Sequence, residues 1–268
     1  MTFLLLGGAG RTGSRILERL VARDRPVRLA SRSTGFDWDD RSTWPQPLSD
    51  ARAVYVCFSP DLAFPGVPER MAELGRLAAS TGVERLVLLS GRGEEGARAS
   101  EAALREGGLP VAVLRCSWFQ QNFSEHFLTG PVRRGRLALP APDVPEAFVD
   151  LEDVADAAVA ALLRAEPAAG TWELSGPELL TFTDIARILQ EEIGAPVEFA
   201  QVAVPEFVDD LASDGVPPEE AEPLARLFTE ILDGRNASLA SGVEALLGRA
   251  ASPFRAYARR TAATGVWR

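Results

Sequence analysis

Leu4-Leu5-Leu6-Gly7-Gly8-Ala9-Gly10-Arg11-Thr12-Gly13 is the stretch on which the reading of this chain turns. An apolar run of strand length passes into a glycine-rich turn, and Ile16, Leu17, Leu20 and Val21 then follow at the spacing of one helix face. Strand, glycine turn and helix in that order open a βαβ unit, and the helix start offers unpaired N–H groups to an anion. Gly7 permits the tight turn, Gly10 lets a pyrophosphate approach the backbone, and Gly13 lets the helix press on the sheet. Arg11 and Thr12 complete a candidate phosphate site.

The next apolar run, Val27 to Ala30, reads as the second strand and is followed by Ser31, Arg32 and Ser33. A site for NAD usually places an acid here to hold the ribose hydroxyls. An arginine instead matches a 2′-phosphate with paired hydrogen bonds, so NADP(H) is the expected cofactor, with Arg32 and Ser33 at the phosphate. The competing reading is a solvated arginine on a loop.

Further strand-sized runs are Ala53 to Phe58, Leu86 to Ser90, Val111 to Cys116 and Thr171 to Leu174. Between them, Val67, Met71, Leu74, Ala78 and Thr81 line one helix face. The spacing also predicts a helix over Leu151 to Leu163 led by Asp150, and later helices near Thr183 to Glu192, Pro218 to Leu232 and Phe254 to Thr261. Thr181 and Asp184 have capping-box spacing. Phe36 to Pro47, rich in Asp, Trp and Pro, carries no readable strand. The expected fold is α/β: a doubly wound, parallel Rossmann sheet over 1–176 with an irregular insertion near 131–146, and a smaller, mostly helical lobe over 177–268.

Composition limits the function classes. With 46% hydrophobic and 25% charged residues, the 268-residue chain has the balance of a globular protein. All 28 basic residues are arginine, and the net charge of −10 disfavours direct nucleic-acid binding. The apolar runs fall far short of the ~20 residues that span a bilayer, and no signal peptide is legible, so a cytoplasmic location with no membrane contact is expected. Cys57 and Cys116 lack metal-site spacing, and no metal is expected.

Beyond the glycine turn, several stretches resemble the NmrA-like atypical short-chain dehydrogenase/reductases, a family that includes NAD(P)H-dependent quinone reductases and a redox-responsive regulator. Arg85 to Ser90 with Gly91 looks like that family's fifth strand, and Gly107, Gly108, Leu109, Pro110 through Leu114 and Arg115 look like its sixth. Trp118, Phe119, Gln121, Asn122 and Phe123 match the aromatic segment that follows. Val149, Asp150, Asp153, Val154 and Ala155 match the later strand-to-helix junction. The resemblance covers the first two-thirds well and implies a ligand cleft between sheet and C-terminal lobe. It also implies a cofactor site of Gly7, Gly10, Arg11, Thr12, Gly13, Arg32, Ser33, Phe58, Ser59, Ser90 and Gly91.

Classical short-chain reductases use a tyrosine with a lysine four residues on, and a serine assists. This chain has only Tyr55 and Tyr257, outside the matching segment, and no lysine. Ser90 occupies a place near the familiar serine, and Arg98 and Glu101 lie near where relatives keep a lysine or histidine. Two functions follow as expectations. The first is an NADPH-dependent reductase of a quinone, enone or aromatic carbonyl, with Trp118, Phe119, Asn122, Phe123 and His126 against a small aromatic substrate and with His126 and Ser90 as catalytic candidates. Helical spacing through this segment would put Asn122, His126 and Phe119 or Phe123 on one face. The alternative is a non-catalytic NADP(H) sensor acting through a protein partner. Either reading allows an oligomer.

Overall fold

The computed structural model describes residues 2–166, 168–213 and 215–268. Along the chain the elements are β1 (Thr2–Leu6), α1 (Arg11–Val21), β2 (Val27–Ala30), α2 (Pro45–Leu48), β3 (Ala51–Val56), α3 (Val67–Ser80), β4 (Arg85–Gly91), α4 (Glu95–Arg105) and β5 (Val111–Cys116). There follow α5 (Thr129–Arg133), β6 (Arg136–Leu139), α6 (Leu151–Leu163), β7 (Gly170–Leu174), α7 (Phe182–Ile193), β8 (Glu198–Gln201), α8 (Val204–Ser213), α9 (Pro218–Ile231), α10 (Gly242–Leu247) and α11 (Phe254–Ala263).

Two compact units emerge, and neither is one continuous stretch. The first takes Met1–Cys116, Leu151–Leu174 and Ser241–Ala250; the second takes Ser117–Asp150, Ser175–Ala240 and Ala251–Arg268.

The first unit holds a six-stranded parallel sheet in the order β2-β1-β3-β4-β5-β7. Its inner strands β1, β3, β4 and β5 are buried along most of their length because helices cover both faces, which is why they read as near-continuous hydrophobic runs rather than alternating ones. The chain moves outward from β1 to β2, then returns to pair β3 on the other side of β1. Strand order therefore reverses between β1 and β3, and the glycine turn leaves β1 at that reversal, the place where open α/β sheets bind ligands. Phe36 to Pro47 forms no strand. Its Phe36, Trp38 and Trp44 are buried with Phe58 in one aromatic cluster, and Trp44 donates its indole N–H to the Asp37 carbonyl at 2.7 Å. The Asp and Pro residues there serve the turns that bring those rings together.

Ion pairs tie the helices of this unit. Arg19 donates to Asp156 and Glu152 at 2.6 Å each, and Arg15 to Glu152 at 2.7 Å, joining α1 to α6. Arg249, just past α10, donates to Asp153 and Asp156 at 2.7 Å.

The second unit contains α5, α7 to α9, α11 and a two-stranded parallel sheet of β6 and β8. The segment expected to be irregular near 131–146 thus carries β6. The capping box at the start of α7 forms as its spacing predicts, Thr181 and Asp184 exchanging bonds. Phe123, Phe148, Phe182, Phe228 and Phe254 dominate this unit's core.

Candidate functional site

The glycine turn closes with a Gly10 N–H bond to the Gly7 carbonyl, and Gly7 N–H reaches back to Ala30 at the end of β2. Gly7 stands at φ +79, where a Cβ would lie 2.5 Å from the Cys57 carbonyl oxygen, so both the conformation and the contact require glycine. A Cβ on Gly13 would sit 2.5 Å from Gly8, so the helix packs on the turn itself rather than on the strand. Gly8 is a further requirement that motif spacing missed: a side chain there would meet Leu29 at 2.6 Å.

Gly10 is different. It is exposed, and a Cβ there meets only the Gly7 carbonyl, at 3.3 Å. The turn keeps an open side over the first turn of α1, whose leading N–H groups have no intrahelical acceptor. A cradle of this shape, open where a pyrophosphate would rest and closed elsewhere, fits a dinucleotide.

Arg32 lies just beyond the Ala30 carbonyl that anchors Gly7. It is exposed in a short 3-10 turn over Arg32–Thr34, and its side chain makes no hydrogen bond or ion pair among the described residues. Ser33 beside it is exposed, its hydroxyl 2.9 Å from that of Ser31. Phe58 is buried against Trp38, with the Arg70 guanidinium over its ring, and Ser59 begins the loop beyond β3.

Ser90 and Arg115 are cross-strand partners on β4 and β5, and both turn to Glu101 of α4. The Ser90 hydroxyl donates to Glu101 Oε1 at 2.6 Å; Arg115 grips the same carboxylate with Nε at 2.8 Å and Nη2 at 2.6 Å. The Glu101 side chain is 1% exposed, so its charge is held by a bidentate partner and the serine proton is committed to it. Gly91 follows at the strand end. Cys57 offers no nucleophile: burial pushes its thiol up to about 11 against the pull of the Arg11 guanidinium.

The aromatic segment past β5 divides in two. Trp118 and Phe127 are half-buried and both meet Phe228, at 4.9 and 5.8 Å between ring centres, forming an aromatic wall; Phe119 is half-buried nearby in sequence. Phe123 packs inside the core of the second unit, and Asn122 is buried. Only Gln120–Phe123 is helical, as a 3-10 turn, and Ser124 leaves it at φ −132. The helix face expected to carry Asn122 and His126 together therefore ends before His126, which is exposed with its ring edge on Phe127.

A model of the NmrA-like family matches residues 99–252. The match falls on the later part of the chain, beyond the glycine turn. A Streptomyces griseus (4-alkanoyl-5-oxo-2,5-dihydrofuran-3-yl)methyl phosphate reductase is 30% identical over 94% of this chain and 95% of its own. The Citrobacter sp. triphenylmethane reductase solved with NADP(H) superposes with a TM-score of 0.81 at 18% identity, over 98% of this chain and all of that one. The Escherichia coli NADPH-dependent quinone oxidoreductase solved with NADPH has a TM-score of 0.78 at 19% identity, over 96% of this chain and 99% of that one. The two solved structures establish the fold as the doubly wound Rossmann type. Since the family model covers more than half of its length, this chain belongs to the NmrA-like family.

Proposed function

We propose that this protein is an NADPH-dependent reductase whose acceptor is a conjugated carbonyl compound: a quinone, an enone or an aromatic ketone. The observation that carries the cofactor half is the open glycine cradle at the β1/β3 reversal, with the unpartnered Arg32 at the end of the neighbouring strand. Gly7, Gly10, Arg11, Thr12 and Gly13 hold the pyrophosphate through backbone N–H groups and the helix start. Arg32 and Ser33 take the 2′-phosphate. Phe58, Ser59, Ser90 and Gly91, on or just past β3 and β4, border the rest of the cofactor.

When bound, the cofactor supplies the hydride. The protein's part is to hold a flat acceptor and exclude water. Trp118 and Phe119 supply apolar surface for that acceptor, with Asn122, Phe123 and His126 in the same segment. A quinone or enone suits a site without a tyrosine and lysine pair, because conjugation already spreads the charge that reduction leaves on oxygen. The names of two relatives support this class: a reductase of an unsaturated oxo-dihydrofuran and a quinone oxidoreductase.

Calorimetric titration with NADPH and NADH, followed by NADPH absorbance with a panel of quinones, enones and aromatic ketones, tests both halves. Tighter binding of NADPH and turnover of at least one class are expected. Absence of NADPH binding would overturn the reading, and tight binding without any turnover would overturn its catalytic half.

A further inference from the structure

Glu94 bridges the end of β4 and the start of α4, and its carboxylate lies across Gly91, so close that a Cβ on Gly91 would be 2.0 Å from Glu94 Oε1. Its side chain makes no hydrogen bond or ion pair among the described residues. The charged group that acts on it is another acid, Asp61, in the connection between β3 and α3. Arg92, on Glu94's own loop, is turned to Glu173 at 2.9 Å, and Arg98, one turn into α4, is exposed.

The connection carrying Asp61 is fixed against α4. Asp61 Oδ1 accepts from the Ala63 N–H at 2.7 Å, and the Leu62 carbonyl accepts from Ser100 at 2.8 Å. Gly96 lies so near that a Cβ would be 2.4 Å from the Ala63 carbonyl oxygen. Asp61 and Glu94 thus stand past the carboxyl ends of β3 and β4, close enough to repel each other, and neither side chain is paired with a cation among the described residues. In a poorly solvated place such a pair relieves its repulsion by keeping a proton. Burial first, and the Asp61 charge second, push Glu94 up to about 7, and burial raises Asp61 as well.

We propose that Glu94, lying over Gly91 at the end of β4, is the acid that gives the acceptor its proton in this reductase. The inference rests on the function proposed above and supplies the donor that the missing tyrosine and lysine leave open. Hydride addition brings two electrons to the acceptor and leaves negative charge on its oxygen. The Glu94 O–H bond breaks, the acceptor O–H bond forms, and the carboxylate left behind takes a proton from solvent before the next turnover. Asp61 is a positioning residue, which keeps Glu94 protonated near neutrality.

The test pairs kinetics with a readout on the protein alone. In carbon-13 NMR titration of the cofactor-free protein, labelled glutamate carboxyls should include one that titrates near neutrality, disappears in Glu94→Gln and moves to lower pH in Asp61→Asn. With an acceptor that turns over, wild-type kcat should fall as pH rises through that midpoint. Glu94→Gln should lower kcat ~10²-fold at pH 6.5 and flatten the profile, with NADPH affinity kept. Glu94→Gln with wild-type kcat and profile would overturn the inference, as would an ordinary carboxyl titration for Glu94 in the wild type, whether or not the variant folds. Absence of NADPH binding by the wild type would overturn the underlying reading and this inference together.

Discussion

Two groups of carboxylates in the first unit are treated in opposite ways. Glu152, Asp153 and Asp156 on α6 are each met by an arginine from α1 or from the segment after α10. Burial alone would raise Glu152 and Asp156, yet hydrogen bonds from Arg19, joined by Arg15 and Arg249, outweigh it and hold both below the usual range. Glu94 and Asp61 receive no such partner among the described residues and are raised. Arginine is plentiful in the chain, so its absence from that pair is a local choice. Charges are matched where α6 is tied to its neighbours, and left unmatched at the strand ends where chemistry is proposed, as with Arg32 beyond β2.

The sharpest way to break this contrast is at the turn where an anion should complete it. Gly10→Val should weaken NADPH binding ~10²-fold or more, because the side chain would fill the open side of the cradle. The only contact its Cβ makes is with the Gly7 carbonyl, so circular dichroism should report a folded protein. Normal binding by that folded variant would remove the cradle from the cofactor site.

On the matched side, Arg19→Ala takes one of two arginines from each of Glu152 and Asp156, Arg15 and Arg249 remaining, and should cost ~1–2 kcal/mol at pH 7, allowing for solvent screening, or ~2–6 °C in Tm. The sign with pH follows from the lowered carboxylates. Their stabilisation is present above the unfolded values near ~4 and is lost as pH falls through the folded values, so the melting difference between wild type and variant should close in acid. A difference independent of pH would mean that Arg19 acts by packing.

Arg32→Ala should lower the preference for NADPH over NADH ~10-fold while leaving NADH affinity and melting temperature unchanged, since the side chain holds nothing among the described residues. An unchanged ratio would free Arg32 from the 2′-phosphate role.

The effect on stability at the unmatched pair has a sign opposite to that of Arg19. Glu94 carries a raised value in the folded chain, so folding is increasingly penalised as pH rises from the ordinary glutamate value toward about 7. Glu94→Gln should therefore raise Tm by a few degrees at pH 8, after discounting the shift for partial solvent exposure, and change little at pH 4. A loss of stability at pH 8 would mean that the carboxylate has a favourable partner.

What was legible in the sequence followed from how each feature is encoded. The inner strands of the sheet announce themselves because both faces are covered and most of their residues are apolar, and the capping box at Thr181 is a contact within four residues. β6 and β8 are short, pair with each other across a long separation, and carry no period that four residues could show. Ser90 and Glu101 drew notice singly, but their union with Arg115 depends on the register of β4 against β5. Glu94 gave no signal. Its environment comes from a connection that only the folded chain lays against α4, whereas the glycine cradle is continuous in sequence and could be read directly.

The path of the chain between its two units decides how this protein can be recombined with its relatives. After Leu174 the chain passes into the second unit, but Ser241–Ala250 returns to the first, where Gly242 lies against the Glu173 carbonyl and Arg249 reaches the buried Asp153. A chimera made by exchanging everything past residue 176 would import a foreign strap for α6 and leave Asp153 dependent on whatever residue replaces Arg249. The exchangeable cassettes are Ser117–Asp150 and Ser175–Ala240, set as inserts into one host and swapped together with the tail from Ala251. Recombination with relatives should therefore proceed by insertion into this scaffold rather than by fusion to its end.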